Sequence, residues 1–353
     1  MAKIIVGMSG GVDSAVAAYL LKLAGHEVIG VTLRTWLSAD GKDSRCCEID
    51  DAQRAADTIG MPYFAQNCVA DFRREVEEPF VREYVCGRTP NPCVVCNRLV
   101  KWEKLLEAAK MMQADFVATG HYAQIEKLPN GRVTVKKALH AKKDQTYMLY
   151  RLSQEQLART LMPLGKLSKE EVRRIAKEAG LPVAAKPDSQ EICFVVDGDY
   201  AEYVSANAVS VLPGEGFFVD TNGSILGKHK GIIHYTVGQR KGLGIALGRP
   251  AYVARIDAAR NEVVLGTEED LFHKTVVLRD INFMGIFPVE IGESFAGSVK
   301  VRYHHPAQPA VITRTGDDEL TAEFEEPVKS PAPGQSAVIY DGSGCVLAGG
   351  IIV

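Results

Sequence analysis

The sequence predicts an α/β protein with a parallel-sheet domain at the N-terminus, a small β-rich domain in the middle and a C-terminal β-barrel. Up to about residue 205, apolar runs of strand length alternate with segments of helical period. Beyond that point, short β-like runs are joined by turn dipeptides. A chain of 353 residues is also too long for one ordinary core. We therefore expect three domains, at 1–204, 205–272 and 273–353.

The first elements are a strand, a loop, a helix and a second strand. Residues 4–8 are a continuous apolar run, as expected of a buried strand, and 28–33 are another. Between them apolar residues recur at helical spacing, and Gly25 supplies a stop signal. This β-loop-α-β unit is typical of the start of an open parallel sheet.

The same alternation predicts the remaining elements of the first domain. Helices are predicted within 50–60, 71–84, 100–112, 153–162 and 168–180, strands within 62–66 and 115–120, and a hairpin at Asn130-Gly131. The last helix has the clearest limits, because Ser168 and Glu171 form a capping box and Gly180 ends it. After residue 205, three pairs of runs predict strands: "GFFVD" with "ILG", "YVARI" with "EVVLG", and "AVIY" with "CVLAG".

Composition limits the location and the partners of the protein. No apolar stretch is long enough to span a bilayer, and the N-terminus does not resemble a signal peptide, so we expect a cytoplasmic protein. Eight cysteines in a reducing compartment favour buried thiols, metal ligands or redox groups over structural disulfides. The net charge of −3 means that a nucleic-acid partner needs a local basic surface. Such a surface is predicted at 228–241, which contains Lys228, His229, Lys230, His234, Arg240 and Lys241.

The loop "SGGVDS", residues 9–14, lies where the first strand meets the first helix. At this edge of a parallel sheet the helix dipole and the unpaired N–H groups attract an anion. Gly10 and Gly11 allow the backbone to approach a phosphate closely. The loop lacks the Gly-Lys-Ser/Thr of a Walker A motif and the G-x-G spacing of a dinucleotide fingerprint. Asp13 would repel a phosphate, which predicts a bridging divalent cation such as Mg²⁺.

The string Ser9–Ser14 resembles the loop of the PP-loop ATP pyrophosphatases, and the likeness extends over nearly the whole chain. The stretches "GRTPNPCVVCNRLVKW" (87–102), "ATGHYAQ" (118–124), "KPDSQEICFV" (186–195) and "KHKGIIHYTVGQRKGLGI" (228–245) resemble the bacterial tRNA-specific 2-thiouridylase, or MnmA, family. The resemblance implies an adenine nucleotide alpha hydrolase-like N-terminal domain and the two β-rich domains as tRNA contacts.

The resemblance also implies a reaction. ATP would adenylate O2 of the wobble uridine of tRNAs of the Glu, Gln and Lys type. A persulfide on Cys193 would supply sulfur to C2, and Cys96 would then attack the carrier, leaving a Cys96–Cys193 disulfide. This chemistry needs two thiols, because the second must release the sulfur from the first. The sulfur would come from a cysteine desulfurase or a sulfur-relay protein.

Further site residues follow from the same resemblance. Asp13 joins Cys96 and Cys193 as a catalytic residue. The residues expected at the nucleotide are Gly7, Met8, Ser9, Gly10, Gly11, Val12, Asp13, Ser14, Leu33 and Gly120. The residues expected at the tRNA are Asn91, Pro92, Cys93, His121, Lys143, Asp144, Gln145, Arg302, Tyr303 and Gln335.

Alternatives remain open at this point. Cys93, Cys96 and Cys193 could instead bind an iron–sulfur cluster, as in a cluster-dependent tRNA thiolase on the same fold. A C–N or amide ligase of small metabolites would share the loop and need no paired thiols. A tRNA-binding module with an inactive loop is a third reading, against which the intact Asp13 argues. Cys46, Cys47, Cys68, Cys86 and Cys345 are interpreted as ordinary thiols, with Cys345 expected at the surface.

Overall fold

The computed structural model describes residues 1–36, 48–187, 192–195, 198–209 and 211–353. Its N-terminal domain contains a five-stranded sheet in the order β3-β2-β1-β4-β7, in which every neighbouring pair is parallel. A separate antiparallel hairpin, β5–β6, turns at the predicted Asn130-Gly131. The strands of this domain are β1 (Lys3–Gly7), β2 (Glu27–Arg34), β3 (Tyr63–Asn67), β4 (Phe116–Ala118), β5 (Ala123–Lys127), β6 (Val133–Lys137) and β7 (Thr160–Leu161).

Helices cover both faces of the parallel sheet. They are α1 (Val12–Leu23), α2 (Ile49–Ile59), α3 (Val69–Phe72), α4 (Glu78–Val85), α5 (Pro92–Cys96), α6 (Glu103–Met111), α7 (Gln154–Ala158), α8 (Lys169–Glu178) and α9 (Tyr200–Asn207). A π-helical turn, Arg73–Glu77, joins α3 to α4, and a second one, Asn97–Trp102, joins α5 to α6. π-helical turns inside longer helices are frequent at functional sites.

Three differences from the predicted elements have physical explanations. The helix predicted within 100–112 begins earlier, at Pro92, because proline suits the first helical position and Asn91 precedes it. The helix predicted within 153–162 ends at Ala158, and Thr160 enters the sheet as part of β7. The helix α9, which Asp199 caps through its side chain, was not predicted and spans the expected domain boundary at residue 204.

Two β-rich units follow, in agreement with the predicted fold class. The first is a four-stranded sheet in the order β10-β11-β8-β9. The second is a closed barrel in the order β12-β15-β14-β13-β16-β17. The strands are β8 (Gly216–Val219), β9 (Ile225–His229), β10 (Tyr252–Asp257), β11 (Glu262–Gly266), β12 (Phe272–Phe283), β13 (Ser294–Lys300), β14 (Gln308–Gly316), β15 (Glu319–Lys329), β16 (Ser336–Tyr340) and β17 (Val346–Ile352).

Hydrogen bonds tie the barrel to the first domain. The Tyr147 hydroxyl, which is fully buried, donates to the Ser336 carbonyl at 2.7 Å. The Arg132 guanidinium donates to the Met284 carbonyl at 2.8 Å. Buried residues of both units, including Val338 and Tyr340 of β16, belong to one hydrophobic cluster. In the described part of the chain, no helix has the length and apolar character that crossing a bilayer requires.

Substitution of Tyr147 by phenylalanine tests this interface. The change leaves the Ser336 carbonyl without its donor in a dry environment, so we expect the free energy of unfolding to fall by about 1–3 kcal/mol. Urea denaturation measures it. Tyr19→Phe is the matched control, because the Tyr19 hydroxyl has no hydrogen-bond partner among the described residues. Equal losses in the two variants would contradict the assignment.

Candidate functional site

A cavity of about 340 Å³ lies at the carboxyl ends of β1, β2 and β4. Its walls bring together segments that are far apart in sequence: the loop after β1, the start of α5 and the segment around Cys193. The predicted site residues that line it are Gly7, Met8, Ser9, Asp13, Ser14, Leu33, Pro92, Cys93, Cys96, Gly120, His121, Gln145 and Cys193. The nucleotide loop and the thiols therefore face one common space.

Close backbone packing shapes the loop after β1. Gly10 has φ +74°, and a Cβ there would lie 2.5 Å from the Glu48 carbonyl oxygen. A Cβ on Gly120 would lie 2.6 Å from the Ser14 backbone nitrogen. The Ser9 backbone N–H donates to Ser14 Oγ at 3.1 Å, which holds the turn closed. Gly10, Gly11 and Val12 form the loop but do not line the cavity, and Val12 packs in the core.

The Asp13 carboxylate is held by two side chains that the sequence analysis did not single out. Lys169 Nζ lies 2.8 Å from each carboxylate oxygen. The Tyr122 hydroxyl donates to Asp13 Oδ1 at 2.7 Å. Lys169 is the first residue of α8, so the confirmed Ser168–Glu171 capping box fixes its position. A lysine at the positive end of a helix dipole is unusual, and this was the available sequence signal.

Three free thiols face the cavity at different depths. Cys93 is exposed and Cys96 is buried, both on α5 and three positions apart, so they lie on the same side of the helix. Cys193 is half-buried, and the next residue, Phe194, anchors its segment. The Phe194 ring packs edge-on against Phe80 at 5.2 Å between centroids. The Cys96–Cys193 disulfide stays a prediction.

A metal ion or cluster needs several ligands close together. Within the described ranges, no group of three or more Cys, His, Asp or Glu side chains is arranged to hold one. The three thiols share the cavity, and an iron–sulfur cluster bound to them stays an untested alternative. Nor do the described residues build a dedicated Mg²⁺ cage. Mg²⁺ usually binds through substrate phosphates with one or two carboxylates, and its presence stays a prediction.

Two groups near Lys101 have shifted pKa values. Protein atoms enclose His121, which lowers its pKa to about 3, and the charge of Lys101 acts in the same direction. The ring is therefore neutral at physiological pH, and its Nδ1 lies 2.8 Å from Thr119 Oγ1. The Cys93 thiol opens to the cavity yet has protein on its other sides, and this enclosure raises its pKa. The charge of Lys101 partly opposes that rise.

The remaining residues expected at the tRNA lie outside the cavity walls, and three of them make contacts between domains: Arg302, Tyr303 and Gln335. Gln335 Nε2 donates to the Thr89 carbonyl at 2.8 Å, just before Asn91. Arg302 donates to the Ser330 and Val237 carbonyls, and the Tyr303 hydroxyl donates to the Asp144 carbonyl at 3.2 Å. The Asp144 carboxylate is buried and accepts from the Ala138 N–H and the Thr146 hydroxyl. Lys143 is half-buried. Contact of these residues with tRNA stays a prediction.

Two sequence-based expectations about exposure were wrong. Cys345 is buried, because it lies directly before β17 in the barrel wall. Its sulfur accepts a hydrogen bond from the Ser343 hydroxyl. His229, counted in the basic surface at 228–241, is also buried, because its ring packs against Phe218 and its Nδ1 accepts from the Gly231 N–H. Lys228, Lys230, Arg240 and Lys241 are exposed as predicted. Cys46 and Cys47 lie outside the described residues.

Residues that the sequence analysis missed complete the cavity walls. Lys101 lines the cavity, and its charge acts on the Cys93 thiol. Apolar residues close the space from the other elements, namely Val31, Phe72, Val76, Leu105, Ile192 and Phe194. The sequence indicates only that such apolar residues lie on the buried face of a helix or strand, and it does not indicate that they line a cavity.

Family models match almost the whole chain in three consecutive parts. Residues 2–197 match the tRNA methyl transferase HUP domain, 207–267 the tRNA methyl transferase PRC-barrel domain, and 273–352 the aminomethyltransferase beta-barrel domain. A solved structure, the U34-tRNA thiolase NcsA from Methanococcus maripaludis with its [4Fe-4S] cluster, is 20% identical over 54% of this chain and 60% of that chain, with a TM-score of 0.36. A likeness that low supports no argument about this protein.

Curated relatives match from end to end. The tRNA-specific 2-thiouridylase MnmA of Lachnoclostridium phytofermentans is 50% identical, covering 100% of both chains. The protein of the same name from Clostridioides difficile is 49% identical, over 99% of this chain and 98% of its own. Identity at this level over the full length leaves the predicted family in no doubt, and the chain belongs to the tRNA-specific 2-thiouridylase MnmA family.

Proposed function

We propose that this protein is an ATP-dependent tRNA 2-thiouridylase that converts wobble uridine into 2-thiouridine. The observation that carries the proposal is the single cavity lined by the "SGGVDS" loop and by Cys93, Cys96 and Cys193. A nucleotide site alone would suit many PP-loop ligases. Thiols facing the same space are what sulfur transfer to an adenylated carbonyl needs. The full-length relatives named 2-thiouridylase support the same conclusion.

In the first step the loop would hold the triphosphate of ATP. The N-terminus of α1 and the unpaired backbone N–H groups favour an anion there. The uridine O2 would attack the α-phosphate, forming an O–P bond while pyrophosphate leaves with the electron pair of the broken P–O bond. The resulting adenylate makes C2 electrophilic. Neutral His121, fixed by Thr119, would offer an uncharged hydrogen-bonding group beside the base.

In the second step a persulfide on Cys193 would attack C2, and AMP would leave. The thiolate of Cys96 would then attack the Cys193 sulfur, so that the S–S bond to the product breaks and its electron pair stays on the sulfur of 2-thiouridine. The Cys96–Cys193 disulfide that results would need a thiol reductant before the next turnover. A cysteine desulfurase or a relay protein would reload Cys193. The substrates would be tRNAs of the Glu, Gln and Lys type.

Serine variants of the two working thiols give the first test. Cys193→Ser removes the sulfur carrier, and Cys96→Ser removes the thiol that releases the product, so each should lower multiple-turnover formation of 2-thiouridine by at least about a hundredfold. The reaction contains unmodified tRNA, ATP, a persulfide donor and a thiol reductant. Mass spectrometry of the digested nucleosides measures the product.

The matched control is Cys86→Ser, because Cys86 is exposed and does not line the cavity. Its activity should stay within about twofold of wild type. Full formation of 2-thiouridine by Cys193→Ser would instead show that Cys193 does not carry the sulfur. Buried Cys345 is unsuitable as a control, since a hydroxyl in its place would perturb the barrel.

The iron dependence of the reaction separates persulfide from cluster chemistry. Because the described residues hold no assembled cluster site, we expect persulfide-loaded protein to make 2-thiouridine at an unchanged rate with an iron chelator present. Iron and acid-labile sulfide are measured in protein purified without oxygen. Stoichiometric iron together with loss of activity on chelation would favour the cluster-dependent alternative.

The low pKa of His121 predicts a pH effect on stability. Unfolding would return the pKa from about 3 to near 6.5, so the unfolded state binds more protons between these values and stability falls with acidification. His121→Gln removes this proton uptake, and its free energy of unfolding should fall less than that of wild type from pH 6.5 to pH 4. Urea denaturation at the two pH values measures this. Exposed His273, changed to Gln, is the control, and an unchanged pH dependence in His121→Gln would refute the assignment.

A further inference from the structure

Lys169 occupies a position that ordinary helix energetics disfavour. It is the first residue of α8, where the helix dipole repels a cation. Its side chain is only 10% exposed, so the ammonium has lost most of its water. An ammonium in such a place is stable only if a nearby charge compensates for the lost hydration. A negatively charged group must therefore lie close to the Lys169 ammonium.

The Asp13 carboxylate is that charge. Both of its oxygens lie 2.8 Å from Lys169 Nζ, and the Tyr122 hydroxyl makes a third hydrogen bond at 2.7 Å. Tyr122 is itself fixed, because it is buried and its backbone N–H donates to Gln145 Oε1 at 2.9 Å. The carboxylate is thus oriented from two sides before any nucleotide is bound.

The support behind Lys169 is equally rigid. The Ser168 hydroxyl accepts from the Glu171 N–H at 3.1 Å, which fixes where α8 begins. Val172 and Ala176, on the inner face of α8, belong to the same hydrophobic cluster as residues of α1. Arg173 donates to the carbonyls of Ala184 and Lys186. The ammonium is therefore held in place and does not have to be drawn in from solvent.

We propose that Lys169 is the charge partner that allows Asp13 to lie beside the triphosphate, and thus a positioning residue of the nucleotide loop. The inference rests on the proposed use of ATP. A carboxylate and a triphosphate in one cavity repel each other unless a positive charge lies between or behind them. The sequence analysis assigned that charge to a divalent cation bridging the two, whereas the structure places a lysine of the chain on the carboxylate. Mg²⁺ would then serve the phosphates alone.

A double-mutant cycle distinguishes this role from direct binding of phosphate by Lys169. The full-length protein is titrated with α,β-methylene ATP, which cannot be cleaved at the reacting bond, at one fixed Mg²⁺ concentration and without tRNA. K169M leaves an unpaired carboxylate facing the triphosphate and should weaken binding by about tenfold or more. D13N completes the cycle, and D13N/K169M removes the repulsion, so the double variant should recover most of the lost affinity and bind within about threefold of D13N. K169R keeps the charge and should stay within about threefold of wild type.

One control variant and two defined results test the proposal. K166M alters an exposed lysine just before α8 and should bind as wild type. If D13N/K169M binds no better than K169M, or if K169M binds as wild type, the proposal is wrong. Should K169M fail to fold in thermal melting, wild type and D13N still give the answer. Removal of Mg²⁺ by a chelator should lower the affinity for α,β-methylene ATP by the same factor in both, to within about threefold, since the metal would serve the phosphates and not Asp13.

The outcomes also separate this inference from the proposed function. A wild-type protein that binds ATP and makes 2-thiouridine, but whose double variant does not recover affinity, overturns only the role of Lys169. A larger loss of affinity on Mg²⁺ removal in wild type than in D13N has the same meaning, because Asp13 would then depend on the metal. Absence of any ATP binding would overturn both.

Discussion

The close approach of two backbone segments at the carboxyl edge of the sheet is the constraint on which the site depends. Gly120, two residues after β4, lies so near Ser14 that a side chain there would overlap the first turn of α1. The parallel pairing of β1 with β4 sets this distance. Because the two segments touch, Tyr122 reaches Asp13, and His121 lies in the same cavity as the nucleotide loop. A looser contact would separate the nucleotide loop from Tyr122 and His121.

Neighbouring side chains determine the electrostatic surroundings of His121 and Asp13 in the cavity. His121 is neutral because enclosure and Lys101 both disfavour its protonated form. Asp13 is paired with Lys169, so the Asp13 carboxylate would not add its negative charge to that of a bound triphosphate. The thiols differ in accessibility, since Cys93 is exposed, Cys193 half-buried and Cys96 buried. In the proposed reaction the more open Cys193 would meet the sulfur donor, and buried Cys96 would act after the substrate is in place.

The sequence predicted the fold well wherever periodicity and caps were strong. The Ser168–Glu171 box, the Asn130-Gly131 hairpin and the strand-loop-helix start were all confirmed. Most of the residues that the family resemblance implied at the nucleotide line one cavity in the structure, while their contact with a nucleotide stays a prediction. Lys169 escaped notice because its importance depends on a contact across 156 positions of sequence, which no local pattern records. Cys345 and His229 were misjudged for a related reason, since burial in a barrel or sheet depends on strand pairing.

The link between Gln335 and the Thr89 carbonyl ties the far end of the chain to the entrance of α5. Gly334 packs against the same segment, where a side chain would lie 3.0 Å from the Thr89 nitrogen. The last strands of the barrel therefore help to set where Cys93 and Cys96 begin their helix. Exchange of the barrel for an unrelated domain would therefore also displace the thiols of α5, because this hydrogen bond joins residues 246 positions apart in the chain.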